Sequence, residues 1–390
     1  MEIDQIMDIT VETNFIELFD EVRPLKLDCG DTFPGIRVAY QTYGELNNKG
    51  TNAILICHAL TGNAHAAGLM QEEETDPYSV PDLVNKYSLM AEGRAGWWDR
   101  LIGPGKVFDT NKYFVVCSNV LGSCYGTTGP ISINEEDGKA YKADFPKVTV
   151  RDMVRVQKEL VDRLGIKKIK TISGGSLGGM QVMEWAVMYP NMVESIIPIA
   201  TSAKHSPWAI GFGDIERDAI MNDPEWKNGY YDKQPESGLA LARKIAMLSY
   251  RTMSSYSDKF GREMVGGEDD ILDSQNRFQI SSYLEYQGEK LVKRFDANTY
   301  LTLADAMDLH DISFERGDIK AVLKSIKAKT LAIGIDTDIL YPVQEQKFIA
   351  EGIPGASYAE IKSQHGHDAF LIEFDQLEKI LRKFLADNNL

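Results

Sequence analysis

The sequence predicts an α/β protein with a mostly parallel sheet covered on both faces. Three observations lead there. Short apolar runs of strand length recur along the chain, helical patterns separate several of them, and one run ends in a glycine-rich turn that opens directly into a helix. Runs of that kind, apolar at nearly every position, mark strands buried on both faces, and their alternation with helices marks parallel crossovers. The expected strands are Arg37–Tyr43, Ala53–Cys57, Tyr113–Ser118, Lys168–Ser173, Ser195–Ala200, Thr330–Ile335 and Ala356–Ile361. Expected helices include Val150–Leu164 and, near the end, Leu377–Ala386. The stretch from Ala200 to Lys327 differs: it has helical periodicity, as in Gly238–Leu248, but no obvious buried strand, and the acidic patch Gly266–Asp273 interrupts it. We therefore expect a sheet domain made of 1–200 and 318–390, with 201–317 inserted as a helical lid. No repeats or low-complexity tracts break this plan.

The most informative turn is Gly174-Gly175-Ser176-Leu177-Gly178-Gly179. Ile166, Ile169 and Ile172 lead into it, and Met180, Met183, Trp185, Ala186 and Met188 follow with helical spacing. Strand, tight turn and helix in that order describe a nucleophile elbow. The serine takes a strained backbone that only small neighbours tolerate, which gives Gly174 and Gly178 a steric reason. The helix N-terminus and the Leu177 N–H then face any negative charge that develops there. A glycine-rich turn with an incidental serine is the plainer alternative, and the strand–turn–helix setting argues against it.

A serine hydroxyl needs a base, and the base needs an orienting acid. In sheet enzymes with this elbow the two follow in the order acid, then histidine. Of six histidines, His205 follows Ser176 closely, while His310, His365 and His367 lie well downstream. His367 sits in Gln364–Leu371, a loop after a strand, with His365 as its rival; His310 reads as a helix-end histidine satisfied by neighbouring acids. For the acid, the buried run Thr330–Ile335 ends in Asp336-Thr337-Asp338, and either aspartate fits the role or a turn. A second oxyanion donor is expected from the loop after Ala53–Cys57, where the Leu60 N–H is the better candidate and His58 reads as loop packing.

Composition bounds the rest. A chain of 390 residues, 43% hydrophobic and 26% charged, can bury a large core. No apolar run approaches a membrane span, and the acidic start Met1–Asp4 lacks a signal peptide's basic residues. Cys29, Cys57, Cys117 and Cys124 show no metal-ligand spacing, so reduced thiols, a cytoplasmic location and no metal are expected. A net charge of −16 argues against nucleic acid and anionic membranes as partners. It also requires local positive charge wherever an anionic substrate binds.

Further strings resemble the homoserine O-acetyltransferase family. They are Gly96–Asp99, Leu101–Gly105, Ser118–Gly122, Gly126–Pro130, Gly174–Met180 and Gly366–Leu371, continuing through Asp223–Trp226, Gly229-Tyr230, Ala242-Arg243 and Arg294–Asn298. The likeness runs from about Phe15 to the end of the chain. It implies an α/β-hydrolase fold with a helical lid and a homodimer formed through lid helices. It implies Ser176 as nucleophile, His367 as base and Asp338 as acid, leaving Asp336 and His365 to structural roles.

The activity so implied is acetyl transfer from acetyl-CoA to the hydroxyl of L-homoserine, through an acetyl-serine and without a bound cofactor, toward methionine. A succinyl donor, a serine acceptor, or an esterase or thioesterase on the same scaffold are the alternatives. Homoserine is a zwitterion, so its carboxylate needs a cation and its ammonium an acid. Arg217, in Glu216–Ile220, is the candidate for the first, because a guanidinium binds a carboxylate in two-pronged fashion; Asp368 is the candidate for the second. The small residues of Gly122–Gly129 are candidates to line the acyl pocket, with Tyr125 either lining or packing.

Overall fold

The computed structural model describes residues 10–70, 95–267 and 276–390. The start Met1–Asp4 and most of the acidic patch Gly266–Asp273 fall outside these residues. Eight strands form one sheet: β1 (Asn14–Leu18), β2 (Ile36–Tyr43), β3 (Ala53–Cys57), β4 (Phe114–Ser118), β5 (Ile169–Gly175), β6 (Ser195–Ile199), β7 (Lys329–Ile335) and β8 (Ser357–Ile361). Their spatial order is β8-β7-β6-β5-β3-β4-β2-β1. The six from β3 to β8 run parallel, and β1 and β2 are antiparallel at one edge. β4 and β5 flank β3 on opposite sides, so chain direction across the sheet reverses there. Crevices beyond the carboxyl ends of strands at such a reversal are where ligands bind in open α/β sheets.

β1 is the strand that the apolar-run criterion misses. It pairs with β2 over Asn14–Leu18, but only Leu18 is fully buried, as expected of an edge strand with one wet side. Phe15 lies half-buried beneath the Arg37 guanidinium, 4.0 Å from ring centroid to Cζ.

Ten helices are relevant here: α1 (Val150–Arg163), α2 (Leu177–Met188), α3 (Pro207–Met221), α4 (Glu236–Tyr250), α5 (Met253–Phe260), α6 (Gln279–Val292), α7 (Ala297–Asp308), α8 (Ile319–Ser325), α9 (Val343–Gly352) and α10 (Phe374–Asp387). α1 starts at a reciprocal cap: Thr149 Oγ1 accepts from the Asp152 N–H, and Asp152 accepts from the Thr149 N–H. Its apolar stripe (Val150, Met153, Val154, Leu160, Val161) faces inward. α2 is buried along nearly its whole length and carries two polar residues inward, each satisfied. Gln181 accepts from Gln157, which in turn accepts from the Trp185 indole, each at 2.7 Å. Glu184 pairs with Arg151 at 3.3 Å and Arg316 at 2.7 Å. Arg151 also donates to the carbonyls of Asp311 and Phe314, tying the chain after α7 to α1. Two hydrophobic clusters, one on each face of the sheet, make up the core. Helices α3 to α7 all lie between β6 and β7 in sequence.

Candidate active site

Three side chains from separate strand ends converge. Ser176 follows β5, Asp338 follows β7, and His367 lies in the turn after β8; each is at least 95% buried. Ser176 has φ 59° and ψ −125°, a left-handed backbone that costs a non-glycine residue on the order of 1–3 kcal/mol. The turn survives because its neighbours have no side chain. A Cβ at Gly174 would stand 2.5 Å, and one at Gly178 2.2 Å, from the Cys57 carbonyl oxygen. The strained turn is further fixed by the Ser176 N–H donating to Ile199 O at 3.0 Å and by Thr201 Oγ1 donating to Ser176 O at 2.9 Å.

His367 Nδ1 lies 2.7 Å from Asp338 Oδ2. The other oxygen of Asp338 accepts the N–H groups of Leu340 (2.8 Å) and Tyr341 (2.9 Å), so the carboxylate is held at both ends. That contact places the proton on Nδ1 and leaves Nε2 as the basic nitrogen. Burial disfavours the imidazolium, but Asp338, by charge and hydrogen bond, outweighs it, and the His367 pKa is raised above the ordinary histidine value. Tyr250, Tyr341 and Phe370 surround the ring, with centroids 5.6, 5.2 and 5.7 Å away.

Leu60 sits at the corner of a turn closed by the Gly62 N–H donating to Ala59 O at 2.8 Å, and Leu177 is the first residue of α2. Among the described residues neither N–H has a backbone acceptor, which leaves both available to an oxyanion. His58 packs the loop, as its position suggests: Nδ1 donates to Ala59 O, Nε2 accepts from the Val120 N–H, and burial pushes its pKa down to about 4.

A cavity of about 360 Å³ opens over this site. Ser176 and His367 lie in its wall with Leu60, Trp97 and Phe370 from the sheet domain; Arg243, Tyr250, Lys290 and Arg294 come from the helical segment. Arg294 also donates to Thr61 O and to the Tyr125 hydroxyl, at 2.9 and 2.8 Å. Asp368 lines the cavity and is paired with Arg251 at 3.0 Å.

Several expectations are corrected. Arg217 is not in the cavity wall: its guanidinium turns to Asp308 (2.5 Å), Asp214 (3.3 Å) and Asp305 (3.4 Å). Arg243, on the neighbouring helix α4, lies in the cavity wall instead. No residue of Gly122–Gly129 lines the cavity; the loop laces onto β2, with Thr127 and Thr128 accepting from the N–H groups of Ala39 and Arg37, and Tyr125 is buried against Phe295. His310 is not satisfied by acids, since it faces the Ser202 carbonyl and burial drives its pKa down to about 3. Asp308 turns to His205 instead, at 3.1 Å, and Asp311 to Ser313 and Lys204. Asp336 and His365, by contrast, sit as the resemblance implies: Asp336 caps a turn by accepting from the Ser363 N–H, and His365 lies outside the cavity wall.

Comparison with known proteins agrees with this architecture. A family model described as the alpha/beta hydrolase fold matches residues 52–374. The chain is 53% identical to the homoserine O-acetyltransferase of Carboxydothermus hydrogenoformans, covering 93% of this chain and 92% of that one. It is 49% identical to the same enzyme of Moorella thermoacetica, over 93% and 94%. Among solved structures, homoserine O-acetyltransferase from Bacillus anthracis superposes with a TM-score of 0.85 at 30% identity, covering 97% and 98% of the two chains. Esterase E22 superposes with a TM-score of 0.83, also at 30% identity, over 96% and 100%. With this fold, these strand-end residues and relatives matching over nearly their whole length, the chain belongs to the homoserine O-acetyltransferase family of α/β-hydrolase-fold enzymes.

Proposed function

We propose that the enzyme moves an acetyl group from acetyl-CoA to the side-chain hydroxyl of L-homoserine in two half-reactions, a step toward methionine. One observation carries the reading: Ser176 and the Asp338–His367 pair meet at a cavity walled by Arg243, Lys290 and Arg294, in a protein of net charge −16. Three cations around one cavity of so acidic a chain suit an anionic donor and a carboxylate-bearing acceptor.

His367 Nε2 takes the Ser176 proton as Oγ attacks the thioester carbonyl. The oxyanion rests on the N–H groups of Leu60 and Leu177, each worth about 100- to 1000-fold in rate in comparable sites. The C–S bond breaks, the thiol leaves with the proton from His367, and acetyl-Ser176 remains. Homoserine then gives its hydroxyl proton to His367, its oxygen attacks the acetyl carbon, and Ser176 recovers the proton as the product leaves. We assign the homoserine carboxylate to Arg243 and its ammonium to Asp368, which lie in the same wall. The helical segment 201–317 acts as the lid that keeps water, a competing acceptor, from the acyl-serine. Its outer face exposes Trp208, Ile215, Leu241 and Leu248, each about half accessible, and a second copy of the chain is the partner we assign to that face.

Coenzyme A release by purified protein, with and without homoserine and with succinyl-CoA and serine in parallel, tests this reading. Release that requires homoserine and yields O-acetylhomoserine by mass is the expected result. Release that ignores the acceptor supports the second reading, a hydrolase, which the likeness to esterase E22 favours. Ser176→Ala should lower turnover by at least about 1000-fold with the fold intact by circular dichroism.

A further inference from the structure

The helical segment meets the turn of the catalytic histidine on both flanks of His367, and one of those contacts is a charge that the two half-reactions do not use. α4 ends at Tyr250, Arg251 follows in extended backbone, and Thr252 caps α5. Thr252 Oγ1 donates to Gln364 O, and Arg251 Nε lies 3.0 Å from Asp368 Oδ2. Between these two contacts the Tyr250 carbonyl comes down on Gly366. The glycine has φ +62°, and a Cβ on it would stand 2.8 Å from that oxygen. The Tyr250 ring lies 5.6 Å from the His367 ring, centroid to centroid.

Asp368 and Arg251 are placed differently. Asp368 lines the cavity, whereas Arg251 does not, and its side chain is only 22% exposed. Among the described residues Asp368 Oδ1 makes no hydrogen bond or ion pair, which leaves it for a cation in the cavity. An aspartate in a turn samples several rotamers unless something holds it. Here a guanidinium outside the cavity wall holds one oxygen and leaves the other open. The helix that brings Arg251 also carries the cation opposite Asp368 in function. Arg243 and Tyr250 stand about two turns apart on one face of α4, with the guanidinium 5.5 Å from the ring centroid. Arg243, Tyr250, Arg251 and Asp368 therefore form one unbroken run of contacts. An α-amino acid bears its carboxylate and ammonium on a single carbon, so the groups that bind them must keep a fixed separation.

We propose that Arg251 is the positioning residue of acceptor recognition. By pairing with Asp368 it holds that carboxylate at the distance from Arg243 that an α-amino acid spans. The site thereby selects acceptors bearing an α-ammonium over plain hydroxy acids. The inference rests on the proposed function, in which Asp368 takes the homoserine ammonium. Arg251 acts on the acceptor alone: among the described residues it makes no hydrogen bond or ion pair with Ser176, His367 or Asp338. Attack of the serine on the acyl donor is indifferent to it.

The experiment compares homoserine with 4-hydroxybutyrate, the same molecule without its amino group, whose Ki against homoserine reads binding without the ammonium. Arg251→Gln should lower homoserine kcat/KM about 5- to 20-fold, mainly through KM, while the Ki of 4-hydroxybutyrate stays within about twofold. The burst of p-nitrophenol from p-nitrophenyl acetate at pH 8.5, which reports serine acylation alone, should also stay within about twofold. Arg251→Lys, which keeps the charge, should recover at least about threefold. Thr252→Val loosens the same corner without touching Asp368 and should leave the ratio of KM to Ki within about twofold. An unchanged homoserine kcat/KM, an equal rise in KM and Ki, a slowed burst, or a Thr252→Val variant that matches Arg251→Gln overturns the inference. Asp368→Asn checks the assignment beneath it: homoserine kcat/KM should fall with the Ki no weaker, and adding Arg251→Gln should cost no more than about twofold further. If Asp368→Asn spares homoserine, the ammonium assignment fails and the inference with it. If Asp368→Asn behaves as expected and Arg251→Gln does not, the inference alone falls.

Discussion

Two aspartate–histidine pairs approach Tyr341 from opposite sides, and they do different work with the same chemistry. Asp338–His367 comes from the ends of β7 and β8 and is 2.7 Å long; Asp308–His205 comes from the helical segment and is 3.1 Å long. In both, a carboxylate fixes the proton on Nδ1. What separates them is the other nitrogen. His205 spends Nε2 on the Tyr341 hydroxyl, whereas among the described residues no side chain or backbone group hydrogen-bonds that of His367, whose ring lies in the cavity wall. Asp338 is held by two backbone N–H groups of its own turn, while Asp308 is held by Arg217 and so by the placement of α3. A histidine–acid pair is thus no signature of a base. The free nitrogen, and what it faces, decides.

The largest expected effect breaks the symmetry outright. Asp338→Asn should lower kcat by about 10⁴-fold, as loss of the tautomer-fixing acid does in such triads, whereas Asp308→Asn should cost far less. Comparable losses from the two would void the distinction. The arginines sharpen it next. Arg243→Gln should cost homoserine about 10- to 100-fold in kcat/KM, the loss of a charge-assisted pair, while Arg217→Gln should leave homoserine kcat/KM within about twofold. The reverse ranking would return the carboxylate to Arg217.

The pH profile separates the two histidines further. His367 must be neutral to accept a proton, and its pKa is raised, so donor kcat/KM should fall with acid along a limb centred above the ordinary histidine value of about 6.5. In Asp338→Asn, burial is opposed only by the Asp368 charge, and the limb should move to lower pH. A limb that stays put would mean that another group titrates.

The smallest effect concerns Glu216, buried and accepting from the Tyr300 hydroxyl at 2.7 Å. Burial pushes its pKa up to about 7, only partly offset by Tyr300, Arg243 and Arg217. Its folded value exceeds its unfolded one, so the fold is unpenalised below about pH 4.5 and loses stability as pH rises toward 7. Glu216→Gln, which can still accept from Tyr300, should raise Tm by on the order of a few degrees at pH 8.5 and hardly at pH 5. Equal shifts at both would refute the burial account.

Much of this was legible in the sequence because the sheet writes its chemistry locally. Ser176 and Asp338 each follow a run that reads as a buried strand and His367 follows a strand-like one, and a turn with a reactive residue at such a position is conspicuous. Asp336 against Asp338, and His365 against His367, stayed open on spacing, since neighbours in one turn differ only in where tertiary contacts point them. The cavity wall is another matter. Arg217 and Arg243 both sit on helices in similar local company, and only the packing of α4 beside the nucleophile turns one of them inward. A faint signal existed: the family-like strings ran through Ala242-Arg243 and Arg294, both of which reach the cavity, and passed Arg217 by. His205 and Tyr341 had none, because their pairing joins the start of the helical segment to the turn after β7, more than 130 residues on.

The glycine before the nucleophile links two histories. A Cβ at Gly175 would stand 2.6 Å from the ring of Phe370, in the same turn as His367. Nucleophile turn and histidine turn therefore abut with only the Phe370 ring between them, and its thickness helps set the spacing of serine and base. In heritable terms neither position can drift alone: an alanine at 175 is tolerable only beside something slimmer at 370, and a lineage exploring other chemistries on this scaffold must change both together.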